Sequence, residues 1–135
     1  VASFPDPAET LVARLNALRE GYLADLPAKL AAIEAAWSAA RTGGRAALIE
    51  AQALAHTLAG SGAVFGYRDL SSAAAAVEAE LDRLLAARHL APADLQPVAS
   101  RVEALLEIGR RYASTRASAA DTASTEIDPS APSSA

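Results

Sequence analysis

The chain has 135 residues, with 12 Lys and Arg against 16 Asp and Glu, a formal net charge of −4, and neither cysteine nor methionine. That length suits one domain built on one core. The missing cysteines exclude a disulfide framework, a thiolate nucleophile and a sulfur-ligated metal, and a scattered, net acidic charge argues against nucleic-acid binding.

Hydrophobic residues make up 52% of the sequence but aromatics only 4%. Ala, Leu, Glu and Arg dominate, which favour helices, while β-branched residues are scarce; an all-α protein follows. No apolar run approaches the roughly 18 residues of a membrane span. No charged segment followed by an apolar stretch opens the chain, so no signal peptide is expected and the cytoplasm is the expected location.

Residues 1–7 read as an N-terminal extension. From Ala8 to about Ala24, Leu11, Leu15, Leu18 and Tyr22 recur at steps of three and four and predict an amphipathic helix. Pro27 should end or kink it, because proline removes a backbone donor and crowds the preceding turn. Leu30, Ile33 and Trp37 form the next stripe, which stops at Gly43-Gly44, and a third helix is expected from about Arg45 to Phe65. Asp69 is placed as the N-cap of a fourth, with Leu70, Ala74, Val77, Leu81 and Leu84 inward.

Ala91 to Asp94 read as a loop or helix start. Leu95, Val98, Val102, Leu105 and Tyr112 then mark a last helix. From residue 114 to 135 the composition turns to Ser, Thr, Ala, Asp and Pro without periodicity, which predicts a disordered tail or linker. The expected architecture is an antiparallel four-helix bundle over residues 8–113, with one additional N-terminal helix packed against it.

The segment from Ala55 to Tyr67 departs from this pattern. A chain that fills helix positions with alanine here places Gly60 and Gly62 inside a helix, at roughly 1 kcal/mol each relative to Ala. Close approach of a neighbour or a partner to the backbone would account for them. Rotation at about 100° per residue puts Leu48, Ala51, Leu54, Leu58, Ser61 and Phe65 toward the core. His56 falls opposite, surrounded by Arg45, Ile49, Gln52, Ala53, Ala59, Gly60 and Ala63. An exposed imidazole in a collar of small or apolar groups results, with Gly60 one turn beyond it.

The run His56, Leu58, Gly60, Ser61 and Gly66 resembles the signature of the histidine phosphotransfer (HPt) domain of two-component phosphorelays. In that family the phosphorylated histidine lies on the second helix of a four-helix bundle preceded by a short extra helix. The resemblance covers roughly residues 8–113. It implies that His56 accepts a phosphoryl group from a receiver-domain phosphoaspartate, or from a kinase, and passes it to another receiver. Many members carry Lys or Arg just before the glycine, where this chain has Ala59, so a phosphate-neutralising charge is missing.

With that implication Gln52, Ala59 and Gly60 form the expected phosphate environment, and Arg45, Ile49, Ala53 and Ala63 the docking surface. Such a domain is a phosphoryl carrier rather than an enzyme. It needs no cofactor or metal of its own, and Mg²⁺ is expected on the receiver. The partner is a receiver domain, with no nucleic acid and no membrane, and the chain is expected to be monomeric.

Other residues carry plainer expectations. His89 follows Arg88 near a helix end, where the helix dipole is explanation enough. Trp37 and Phe65 are read as core anchors, and Glu78, Glu80 and Asp82 as a solvated helix face. Two histidines without ligands at suitable spacing argue against a metal site. Two other classes of function compete with the phosphoryl carrier. One is a helical interaction module, a degenerate relative that binds a receiver without taking phosphate. The other is an amphipathic bundle that opens on lipid, against which the lack of basic polar faces and large apolar anchors counts.

Overall fold

The computed structural model describes residues 6–126, with side chains through residue 119. Four helices occupy almost all of it: α1 (Pro7–Arg41), α2 (Arg45–Val64), α3 (Arg68–Ala86) and α4 (Pro92–Glu126). No strand occurs among the described residues. Short connections at 42–44, 65–67 and 87–91 force neighbours to run antiparallel. α1 packs on α2 and α4, and α3 packs on α2 and α4, which closes an antiparallel four-helix bundle.

Local chemistry sets most of the boundaries. Asp6 caps α1, its Oδ1 accepting from the Ala8 backbone N–H at 3.2 Å, and Pro7 takes the first helical position, where its missing donor costs nothing. Gly43 and Gly66 adopt φ of 104° and 83°, so each turn after α1 and α2 needs a residue without a Cβ penalty. α3 begins two residues earlier than an Asp69 cap would place it. Tyr67 is the N-cap, and Asp69 sits in the first turn, accepting from the Leu70 N–H at 2.8 Å.

The expected break at Pro27 does not occur. α1 runs through it, and the extra N-terminal helix is the first half of α1 rather than a separate element. Leu26 and Leu30 are buried on either side of Pro27, so packing against the core continues through it. Pro27 itself is exposed, so the carbonyl it leaves without a helical partner can face water.

The core contains Leu26, Ile33, Leu70, Leu81, Leu105, Val77 and Val98 as its most deeply buried large side chains, and Trp37 is buried with them. At one end an aromatic stack closes the bundle. Tyr22 lies 4.6 Å from Phe65 and 5.8 Å from Tyr67 between ring centroids, and Tyr67 meets Tyr112 edge-on at 4.9 Å. Phe65 is half-buried in this stack rather than inside the core.

Beyond that seal the stripe Leu11, Leu15 and Leu18 is exposed, contrary to the expected packing, because α2 and α3 turn back at the level of Tyr22. α4 also outlasts the expected boundary near residue 114. Its helix continues to Glu126, with Arg116 Nε donating to Glu20 Oε1 of α1 at 2.5 Å. Alanine-rich sequence sustains a helix that periodicity does not mark. The rest of the expected tail, 127–135, and the opening residues 1–5 lie outside the described residues.

Candidate functional site

α2 presents its residues in two sets. Leu48, Ala51, Ala55, Leu58 and Gly62 are buried, while Leu54 and Ser61 are only half-buried. The buried face is thus turned toward α3 relative to the sequence-based expectation, because small Ala55 and Gly62 let α3 come close. A Cβ added at Gly62 would lie 3.2 Å from the Ser71 backbone nitrogen. Ser71 in turn donates its hydroxyl to the Ala59 carbonyl at 2.7 Å. Tyr22 fastens the other side of α2, its hydroxyl donating to Ser61 Oγ at 2.9 Å while Ser61 donates onward to the Leu58 carbonyl.

His56 stands on the outer face, its side chain 73% exposed. Ile49, Ala53, Gly60 and Ala63 are exposed with it, and a Cβ at Gly60 would meet nothing within 4 Å. The two glycines therefore differ in cause: Gly62 admits α3, and Gly60 leaves open space beside the imidazole. Gln52 and Ala59 are half-buried on the side of His56 that faces α3. Arg45 lies at the start of α2, and its Nη2 donates to the Leu85 carbonyl at 3.3 Å, so it ties the ends of α2 and α3 together.

Sequence reasoning missed Glu78. Read as part of a solvated face with Glu80 and Asp82, it instead reaches across from α3, with Oε2 2.5 Å from His56 Nδ1. Its side chain is only 20% exposed. A carboxylate can only accept, so Nδ1 carries the proton and donates it. In that tautomer Nε2 is the nitrogen that carries the lone pair and is left for an electrophile. Helical periodicity holds no separate signal for this: Glu78 and Asp82 each follow a buried residue, Val77 and Leu81, and only the packing of α3 on α2 tells them apart. Glu80 pairs with Arg83 within α3, and Asp82 is exposed.

No groups of three or more potential ligands that could hold a metal occur among the described residues. Among those residues no helix is long and apolar enough to cross a membrane. His89 is exposed in the α3–α4 connection, away from this arrangement.

A rigid helix that carries an outward nucleophilic nitrogen, oriented by a carboxylate from its neighbour and bordered by small residues, can take a group from a docking protein. No curated protein and no solved structure matches the chain. The family model described as the Hpt domain matches residues 17–119, which takes in α2, α3 and the greater part of α1 and α4. The chain belongs to the Hpt domain family, the phosphotransfer modules of two-component systems.

Proposed function

We propose that His56 is the phosphoacceptor of this chain, taking a phosphoryl group from the phosphoaspartate of a receiver domain, or from a kinase, and passing it to another receiver. The observation that carries this reading is the contact of His56 Nδ1 with Glu78 Oε2 at 2.5 Å on a side chain that is 73% exposed.

In the forward step the Nε2 lone pair attacks phosphorus, an N–P bond forms, and the bond from phosphorus to the aspartate oxygen breaks. The electron pair of that bond leaves with the aspartate carboxylate. The Nδ1 proton stays in its hydrogen bond to Glu78, and the positive charge that develops on the ring is offset by that carboxylate. The reverse step retraces the same path. Attack in line requires the acceptor nitrogen and phosphorus to come within about 3–3.5 Å, and the empty space over Gly60 permits it.

On this reading the chain is a carrier and not an enzyme. It contributes a positioned nucleophile and a docking face of Ile49, Ala53, Gly60 and Ala63, while the receiver brings Mg²⁺ and the groups that stabilise the transferring phosphoryl. The cytoplasm, where receiver domains work, is its expected setting. The test is chemical. Incubation with a phosphorylated receiver should label the chain with phosphate stable to base and lost in acid; His56→Gln should remove the label, and His89→Gln should keep it. Label that persists in His56→Gln would overturn the assignment.

A further inference from the structure

From Pro7 to Gly21, about 22 Å, α1 runs beyond the ends of α2 and α3. Leu11, Leu15 and Leu18 share the helical face of Tyr22, which bonds Ser61 and stacks on Phe65 at the end of α2. The stripe therefore continues the inner face of the bundle past the point where α2 and α3 turn back. Leu11 is 58% exposed, Leu15 47% and Leu18 59%, with Val12 beside them at 55%. A contiguous apolar patch of this kind, on the order of a few hundred Å², marks an interaction surface.

A second copy of the same segment fits this face in one orientation. Turned antiparallel about a two-fold axis beside Leu15, it sets Leu11 of each copy against Leu18 of the other. The same register puts Pro7, the first helical residue, level with Tyr22 of the other copy. Each helix then starts where the other copy's aromatic seal ends the bundle, and it fills the space above the 65–67 turn. A parallel pair fails on two counts. The second α1, continuing past its own Tyr22, would run into α2 of the first, which occupies that face from Tyr22 onward. Arg14 would also face Arg19 of the other copy, five residues on, across the seam.

Charge favours the antiparallel pair. Arg19, Val12 and Glu9 lie on one flank of the stripe and Arg14 on the other. Like flanks meet in an antiparallel pair, so Arg19 of each copy comes level with Glu9 of the other while its stem covers Val12. Both residues are exposed, and neither has an ion-pair partner among the described residues. One like-charge meeting remains, Arg14 with its own copy beside the axis.

We propose that this chain forms an antiparallel homodimer through the Leu11, Leu15 and Leu18 face of α1, flanked by two Glu9–Arg19 pairs. The two faces with their flanks bury about 1,000 Å², the low end for a specific interface, so the dimer is reversible and forms in the micromolar range. His56 lies nine residues before Phe65, about 13 Å along α2 from the seal, so both His56 faces stay open. The dimer does not depend on the assignment of His56 as phosphoacceptor.

Sedimentation equilibrium of the full chain, from micromolar to near-millimolar concentration, tests this. Wild type should pass from monomer to dimer and no further, because a two-fold contact closes on itself. Leu15→Glu should stay monomeric throughout, with circular dichroism confirming unchanged helicity. Glu9→Arg and Arg19→Glu should each weaken the dimer about tenfold, and the two exchanges together should restore it. Arg14→Gln should strengthen it about threefold by removing the like-charge meeting. Wild type that remains monomeric, a dimer that survives Leu15→Glu, or a double exchange as weak as either single one overturns the proposal. Monomeric wild type that sediments with anionic lipid vesicles overturns it in favour of a lipid surface.

Discussion

Glu78 of α3 holds His56 of α2 by its Nδ1 at 2.5 Å, across twenty-two residues of chain, and so decides which ring nitrogen faces outward. Hydrogen bonds to charged groups contribute about 1.5–3 kcal/mol when shielded and less when the partner is as exposed as His56. Glu78→Gln keeps an acceptor oxygen but not the charge, and labelling of His56 should slow about threefold. Glu78→Ala removes both, and the loss should be about tenfold. Nitrogen-15 spectra of the imidazole should show the Nδ1–H tautomer giving way to a mixture in the Ala variant. An unchanged rate in Glu78→Ala would show that the pairing does not orient the nucleophile.

Gly60 and Gly62 supply a paired comparison two residues apart. A Cβ at Gly60 meets nothing within 4 Å, so Gly60→Ala should raise stability by up to about 1 kcal/mol, the helix-propensity difference. Transfer should nevertheless slow, because the methyl group occupies the space a receiver uses to reach the ring. A Cβ at Gly62 lies 3.2 and 3.3 Å from Ser71 backbone atoms, and backbone cannot swing aside as a side-chain tip can. Gly62→Ala should therefore lower stability by about 1 kcal/mol while its folded fraction transfers at a nearly normal rate. Urea midpoints and labelling rates on both variants check this, and a destabilised Gly60→Ala with a normal rate would contradict it.

Removal of residues 118–135 should leave the bundle and its labelling nearly unchanged. Gly109 is the last buried position along α4, and the side chains described from Ala113 to Ala119 are exposed. Arg116, whose pair with Glu20 ties α4 to α1, is retained. A fall of more than a few degrees in melting temperature would show that the C-terminal turns support the core.

The periodic apolar stripes were enough to reveal four of the helical cores, because Leu70, Val77, Leu81 and Leu84 can satisfy only one face of one helix. His56 was legible for a related reason: glycine at position 60 is costly in a helix unless something needs the space. What escaped a linear reading depended on neighbours. Pro27 continues a helix because Leu26 and Leu30 are gripped by the core, and no local rule records that grip. Leu11, Leu15 and Leu18 look inward by period, yet the partner helices have already turned at Phe65. Glu78 carries the same local pattern as Asp82, and only the register between α2 and α3 gives the first to His56 and the second to solvent.

Tyr112 and Asp69 give a prediction whose sign differs at the two ends of the pH scale. The Tyr112 hydroxyl donates to an Asp69 oxygen, joining α4 to the first turn of α3. Burial, then the hydrogen bond and charge of Asp69, push the Tyr112 phenol up to about 12. The hydrogen bond from Tyr112 holds the Asp69 carboxyl below its ordinary value. A raised phenol stabilises the fold fully below the unfolded value of about 10, and that contribution is lost as pH rises toward about 12. A lowered carboxyl stabilises the fold above its unfolded value of about 4, and that contribution is lost as pH falls through the lower folded value. Tyr112→Phe should therefore be less stable than wild type by about 1 kcal/mol or less near neutral pH, since both groups are partly in water. The gap between the two proteins should hold through the neutral range, then close between about pH 10 and about 12 as the wild-type advantage disappears. It should close again in acid, where protonated Asp69 is a poorer acceptor. Urea unfolding of both proteins across that range measures the gap directly, and a gap that stays constant from neutral to strongly alkaline pH would show that the Tyr112 hydroxyl contributes nothing to holding α4 against α3.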